Sequence, residues 1–153
     1  MPDTGNRKPP RPKALVVLGF DWGTQSIGVA IGQSVTATAT PLPPFRAKQG
    51  VPDWSKLQSV VEEWQPNLFV VGIPLNMDGS ESESSIHAER FARRLEGRFG
   101  IPWTGVDERL SSFDVKSSLR QAGETGVTKG SIDSLTAKLL VESWFRQNPT
   151  ASH

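Results

Sequence analysis

The chain has 153 residues, 36% of them hydrophobic and 22% charged, which suits one domain that buries its own core. It has no cysteine and only two histidines, one of them the terminal His153. This excludes a disulfide scaffold, a thiol nucleophile, a cysteine zinc or iron–sulfur site and a histidine metal cage. The 17 basic and 16 acidic residues nearly cancel, and no apolar run approaches the roughly 20 residues that cross a bilayer, so no membrane partner is expected.

The near balance conceals a division. Residues 1–13 carry Arg7, Lys8, Arg11 and Lys13 against Asp3, with Pro2, Pro9, Pro10 and Pro12 between them. Such a segment has nothing to bury, which predicts a disordered basic arm able to add non-specific phosphate affinity. It lacks the apolar stretch of a secretory signal, which predicts a cytoplasmic protein. Residues 14–146 read as the folded domain, slightly acidic in balance, and 147–153 as a flexible tail.

Ala14 to Asp21 is a short apolar run ending in an acid, the pattern of a buried strand. A turn over Trp22–Gln25 and a second β-rich run, Ile27–Ile31, predict a hairpin. Val35–Thr40 alternates and predicts a third strand, stopped by Pro41, Pro43 and Pro44. Asp53 is an N-cap candidate for a helix carrying Leu57, Val60, Val61 and Trp64, with Pro66 ending it. Leu68–Gly72 reads as a buried strand, and Pro74–Glu83 as a loop with Ser82 or Ser84 capping the next helix, Ile86–Arg98. The pair Arg93-Arg94 reads as a solvated helix face, and His87 as a surface residue. Ile101–Val106 predicts a last strand ending in Asp107 and Glu108. Ser111–Gln121 reads as a short helix and Gly123–Gly130 as a flexible loop. Ser131 is the expected cap of a final helix with Ile132, Leu135, Leu139, Leu140 and Ser143 inward. The order β-β-β-α-β-α-β-α-α predicts an α/β fold. Three antiparallel strands and then parallel ones form a mixed five-stranded sheet, flanked by helices on both faces.

Function in such sheets collects at the carboxyl ends of the strands. Asp21 ends the first strand there, and Asp107 and Glu108 end the last. Asp133 falls near the start of the final helix, facing the same rim. Acids sharing a rim repel one another unless a divalent cation neutralises them. Hard oxygen ligands suit Mg²⁺ or Mn²⁺, and two such ions promote phosphodiester hydrolysis. Alternation and spacing alone leave Asp107 and Glu108 as competitors. Taken singly, Asp21 also suits a turn and Asp133 a helix dipole. Around the acids, Arg109 suits a phosphate fork or a local ion pair, and Lys129 suits a phosphate near a helix start or a solvated loop. Asn76 suits a donor to phosphate or a capping loop. Trp22 suits either the core or stacking on a base.

Four stretches in order, Gly19–Ala30 (GFDWGTQSIGVA), Val71–Gly79 (VGIPLNMDG), Val106–Ser111 (VDERLS) and Lys129–Ala137 (KGSIDSLTA), resemble the YqgF/RuvX family across residues 15–145. The resemblance implies an RNase H-like nuclease domain with Asp21, Glu108 and Asp133 as catalytic, metal-binding acids. Thr24, Gln25, Asn76, Arg109 and Lys129 are the expected nucleic-acid contacts. The family's two described substrates are precursor 16S rRNA and four-way DNA junctions. A junction resolvase requires a homodimer, whereas rRNA trimming allows a monomer. The chain departs from the family pattern at Ser26, where a base is common, at Gln33, where an acid is common, and at Thr136-Ala137, where the usual pair is Ala-Ala. Two other classes compete. One is a non-catalytic nucleic-acid or ribosome-assembly module. The other is a lobe of an ATP-binding fold, which Asp21-Trp-Gly-Thr also suits but which needs two such lobes.

Overall fold

The computed structural model describes residues 14–108 and 129–149. Six strands, β1 (Val16–Asp21), β2 (Ser26–Gln33), β3 (Thr38–Lys48), β4 (Val51–Pro52), β5 (Leu68–Ile73) and β6 (Trp103–Asp107), form one sheet in the order β4-β3-β2-β1-β5-β6. The β1–β4 series is antiparallel, whereas β5 and β6 join β1 in parallel. The helices are α1 (Trp54–Trp64), α2 (Glu83–Phe99) and α3 (Lys129–Gln147). The expected mixed sheet is present, with one strand more because the two-residue β4 pairs with Ala47 and Lys48.

Strand alternation divides the core in two. Leu18, Phe20, Ile27, Val29, Phe69 and Val71 pack with Leu57 and Val61 of α1 and Phe91 and Leu95 of α2. On the other face Val17, Ala30, Val70 and Val106 pack with Ala137, Leu140, Val141 and Phe145 of α3. Helices therefore cover both faces, as expected. The α1 cap is Asp53, whose carboxylate accepts from Ser55 N–H and Lys56 N–H, and Gln65 closes the other end in the left-handed region. The α2 cap is Ser82, which exchanges hydrogen bonds with Ser85 in a capping box.

Three expectations are corrected. The third strand does not stop at the prolines. Val35–Ala37 lie in the turn that reverses β2, with Ala37 at φ 55°, and β3 runs from Thr38 through Pro41, Pro43 and Pro44. Those prolines are tolerated because β3 meets β4 only at Ala47 and Lys48, so its outer side needs no donor there. The last helix begins at Lys129, ahead of the expected Ser131 cap. Its inner stripe keeps Leu140 and Ser143 as expected and adds Ser134, Ala137 and Val141, while Ile132, Leu135 and Leu139 are half-buried. The sheet beneath offers Gly19, Gly28, Gly32 and Gly72, whose missing side chains leave room for Val141, Leu140 and the helix backbone at Asp133. The arm, residues 150–153, the expected helix Ser111–Gln121 and the loop to Thr128 lie outside the described residues.

Candidate active site

Asp21 is the last residue of β1, 9% exposed, on the α3 face. Its partner across β2 is Gly28. A Cβ on Gly28 would lie 2.1 Å from the carbonyl carbon and oxygen of Asp133, so the α3 backbone rests directly on that glycine. On the other side of β1, Gly72 of β5 is paired with Val106 of β6. A Cβ on Gly72 would lie 3.5 Å from Oε1 of Glu108. Gly28 thus seats the Asp133 backbone beside Asp21, while Gly72 leaves room for Leu140 of α3, with the Glu108 carboxylate at ordinary contact distance beside it.

This geometry also separates the two adjacent acids. Val106 is buried on the α3 face, and Glu108, two residues on, keeps that parity. Asp107 takes the opposite parity, shared with Trp103, which packs on the α1/α2 core. The sequence left this pair open; the Glu108 carboxylate lies near Gly72, while Asp107 closes β6 on the parity of Trp103.

Ser134 is a residue that sequence reasoning did not single out. The β2–β3 register slips between Ile27 and Val29. Ser134 Oγ stands at the slip, accepting from Val29 N–H at 3.2 Å and donating to Leu42 C=O at 2.8 Å. A helical side chain thus completes the ladder and fixes the height of Asp133 beside it. The signal available was a second serine within Ser131-Ile-Asp-Ser134, but nothing in the sequence marks the bulge it fills.

The remaining expected contacts divide. Thr24 and Gln25 are exposed in the turn after Asp21, and their carbonyls accept from Gly50 N–H and Ala47 N–H, tying that turn to the end of β3. Asn76 does not present its amide as a ready phosphate donor. Its Nδ2 donates to Ser80 Oγ at 3.0 Å and to Glu81 C=O at 3.2 Å, closing the loop after β5. A short loop with few internal partners satisfies its own polar groups first. Arg109 and the side chain of Lys129 lie outside the described residues.

Carboxylates are oxygen donors only, the kind that hard divalent cations take. Among the described residues no three acids or histidines are gathered closely enough to hold a metal ion. Asp21, Glu108 and Asp133 come from three separate parts of the chain, with the Asp133 backbone and the Glu108 carboxylate on either flank of β1.

The fold is similar to that of solved Holliday junction resolvases with an RNase H-like fold. Thermus thermophilus RuvC in complex with a Holliday junction substrate superposes with a TM-score of 0.55, at 15% identity, over 89% of this chain and 97% of that one. The yeast mitochondrial Holliday junction resolvase gives 0.52 at 11% identity, over 90% and 80%. Residues 15–147 match the RuvX family, described as Holliday junction resolvase, and the chain belongs to that nuclease family. A relative from Proteus mirabilis, provisionally named a pre-16S rRNA nuclease, is 52% identical over 132 residues, covering 86% of this chain and 95% of that protein. One of the same name from Pectobacterium carotovorum is 49% identical over 134 residues, covering 87% and 96%. Among the described residues no helix is long and apolar enough to cross a membrane.

Proposed function

We propose that the chain is a divalent-metal-dependent endonuclease that trims the 5′ end of precursor 16S rRNA, with Asp21, Glu108 and Asp133 as its catalytic and metal-binding acids. The observation that carries this reading is the seating of the Asp133 backbone on Gly28, the β2 partner of Asp21, with the Glu108 carboxylate near Gly72 on the other flank. Relatives near 50% identity over almost their whole length, named for that RNA, support the substrate.

Mg²⁺ or Mn²⁺, taken as a pair, would supply an activated water and neutralise charge on the phosphodiester. The protein's own contribution is positional. Asp21 is held rigid by a buried strand and Asp133 by the Ser134 bridge, and Glu108 lies beside Gly72. Near burial of Asp21 limits competing water at the patch, which strengthens its hold on a cation. Thr24, Gln25, Arg109 and Lys129 contact the sugar–phosphate backbone and fix its register, while Asn76 shapes the neighbouring loop. The family description favours a second reading, cleavage of four-way DNA junctions by a symmetric dimer.

The test is cleavage of a labelled precursor 16S rRNA 5′ fragment and a four-way DNA junction, each with Mn²⁺, Mg²⁺ or EDTA. RNA cleavage lost in EDTA and in Asp21→Asn is the expected result. Symmetric junction nicks without RNA cleavage select the second reading. Binding of both substrates without cleavage by the wild type would reject the enzyme and leave a binding module.

A further inference from the structure

Strand alternation sends the residue after Asp21 to the opposite face of the sheet. Trp22 packs at the margin of the α1/α2 core, its Nε1 donating to Gly50 C=O at 3.0 Å. Gly50, at φ 83°, gives it room, since a Cβ there would meet the indole at 2.2 Å. The His87 ring stacks on Trp22, with centroids 5.6 Å apart and planes 17° from parallel. Beside this stack opens a cleft of about 170 Å³ lined also by Trp54, Arg90 and Arg94.

Arg90 and Arg94 are both exposed and one turn apart on α2, so their guanidinium groups serve one surface. Among the described residues neither makes an ion pair, whereas their neighbour Arg93 lies 3.9 Å from Glu89. A second groove carrying Arg46 and Lys48 adjoins the cleft through the shared Val51. In a body with more acids than bases, this is a local concentration of cations around flat rings. The volume falls below the roughly 300–1,000 Å³ of a small-molecule site. Planar forks match phosphate oxygens, and stacked rings match a nucleobase face.

The geometry points to a nucleotide-binding cleft. Trp22, His87, Arg90 and Arg94 take one unpaired nucleotide of the strand whose phosphodiester lies at Asp21, its base on the aromatic stack and its phosphate on the arginines. The assignment rests on the nuclease reading and makes it more specific, because the substrate must be single-stranded beside the cut. Trp22 follows Asp21 directly in the chain at the end of β1, so a nucleic-acid strand crossing that strand end meets the acid on one face and the cleft on the other.

The test is binding in EDTA, where cleavage plays no part. The probes are a labelled RNA hairpin with a short unpaired extension, the same hairpin blunt-ended, and DNA versions of both, read by fluorescence anisotropy across a salt series. The wild type binds the extended hairpin more tightly than the blunt one. In Arg90→Ala/Arg94→Ala that preference falls roughly tenfold. The salt slope for the extended probe drops by about 0.7, the value for one single-strand phosphate contact. His87→Ala reduces the preference and leaves the slope unchanged. Arg90→Lys/Arg94→Lys, which removes the fork and keeps the charge, restores the slope and serves if the alanine pair melts early. Preference for RNA or DNA extensions identifies the source of the nucleotide. Variants that bind as the wild type does, or that weaken blunt and extended probes equally, overturn the assignment. Failure of the wild type to cut any probe when metal is added sinks the nuclease reading and leaves the binding result intact.

Discussion

Substituting Gly28 by alanine tests the architecture of the site at one atom. The new Cβ would lie 2.1 Å from the carbonyl carbon and oxygen of Asp133 and 2.6 Å from the nitrogen of Ser134. All three are main-chain atoms, so no side chain can rotate aside. Ordinary contact begins at 3.4 Å, and α3 must retreat from β2 by more than an ångström. A retreat of that size takes Ser134 Oγ out of reach of Val29 N–H, now 3.2 Å away, and strains its 2.8 Å bond to Leu42 C=O. Overpacking costs about 1–3 kcal/mol and each buried hydrogen bond lost about 1 kcal/mol, so destabilisation is about 3 kcal/mol. For a domain of this size that lowers the melting temperature by roughly 6–12 °C. Nuclease activity measured well below that temperature falls by about 100-fold, because Asp133 is displaced by about an ångström. Gly97→Ala is the control. Nothing lies within 4 Å of its Cβ, it sits in α2, and alanine there stabilises by up to about 1 kcal/mol. A Gly28→Ala protein that melts within about 2 °C of the wild type and cuts at its rate would refute the close seating of α3 on β2.

Ser134→Ala leaves Val29 N–H and Leu42 C=O without the hydroxyl that serves both, and urea unfolding should show a loss of about 2–3 kcal/mol. An unchanged midpoint would mean that the bulge closes on itself. Mn²⁺ or Mg²⁺ should raise the melting temperature of the wild type and leave Asp21→Asn unmoved, since a ligand stabilises only a fold that holds it. Equal shifts in both proteins would remove Asp21 from the metal site. The Asp53 carboxyl is held below its ordinary value by the Ser55 hydroxyl and then by Lys56 N–H. A depressed carboxyl contributes stability above its unfolded pKa and loses it as pH falls through the folded one. The wild type should therefore lose melting temperature below about pH 4 more steeply than Asp53→Asn. Parallel curves would refute the cap's share in acid stability.

Much of this fold was legible because its signals are local. Asp53 and Pro66 bracket α1, Ser82 starts α2, and the apolar runs at β1 and β5 can only be buried strands. The errors arose where distant residues decide. Val35–Ala37 alternates as a strand does, yet the chain must turn there for Thr38–Lys48 to return along β2. The prolines of β3 look like terminators until its outer side proves to lack a neighbour. The inner stripe of α3 keeps Leu140 and Ser143, but the glycines beneath bring Val141 and the helix backbone at Asp133 close to the sheet, which leaves Ile132, Leu135 and Leu139 half-buried. In the site, strand ends pointed to Asp21 and to the Asp107–Glu108 pair, and parity in the folded sheet was needed to choose between the two. Asn76 donates within its own loop, to Ser80 and Glu81, a closure that composition does not reveal.

The Ser134 bridge joins residues 105 apart in the chain, across nearly the whole domain. Contacts of that separation form late, after the entropy of closing so long a loop has been met. The seat of Asp133 on β2 therefore depends on a segment far along the chain from the strand that receives it. Under the proposed reading, cleavage requires β1 through α3 to be folded together, so a reading of activity doubles as a reading of whether the two ends of the domain have met.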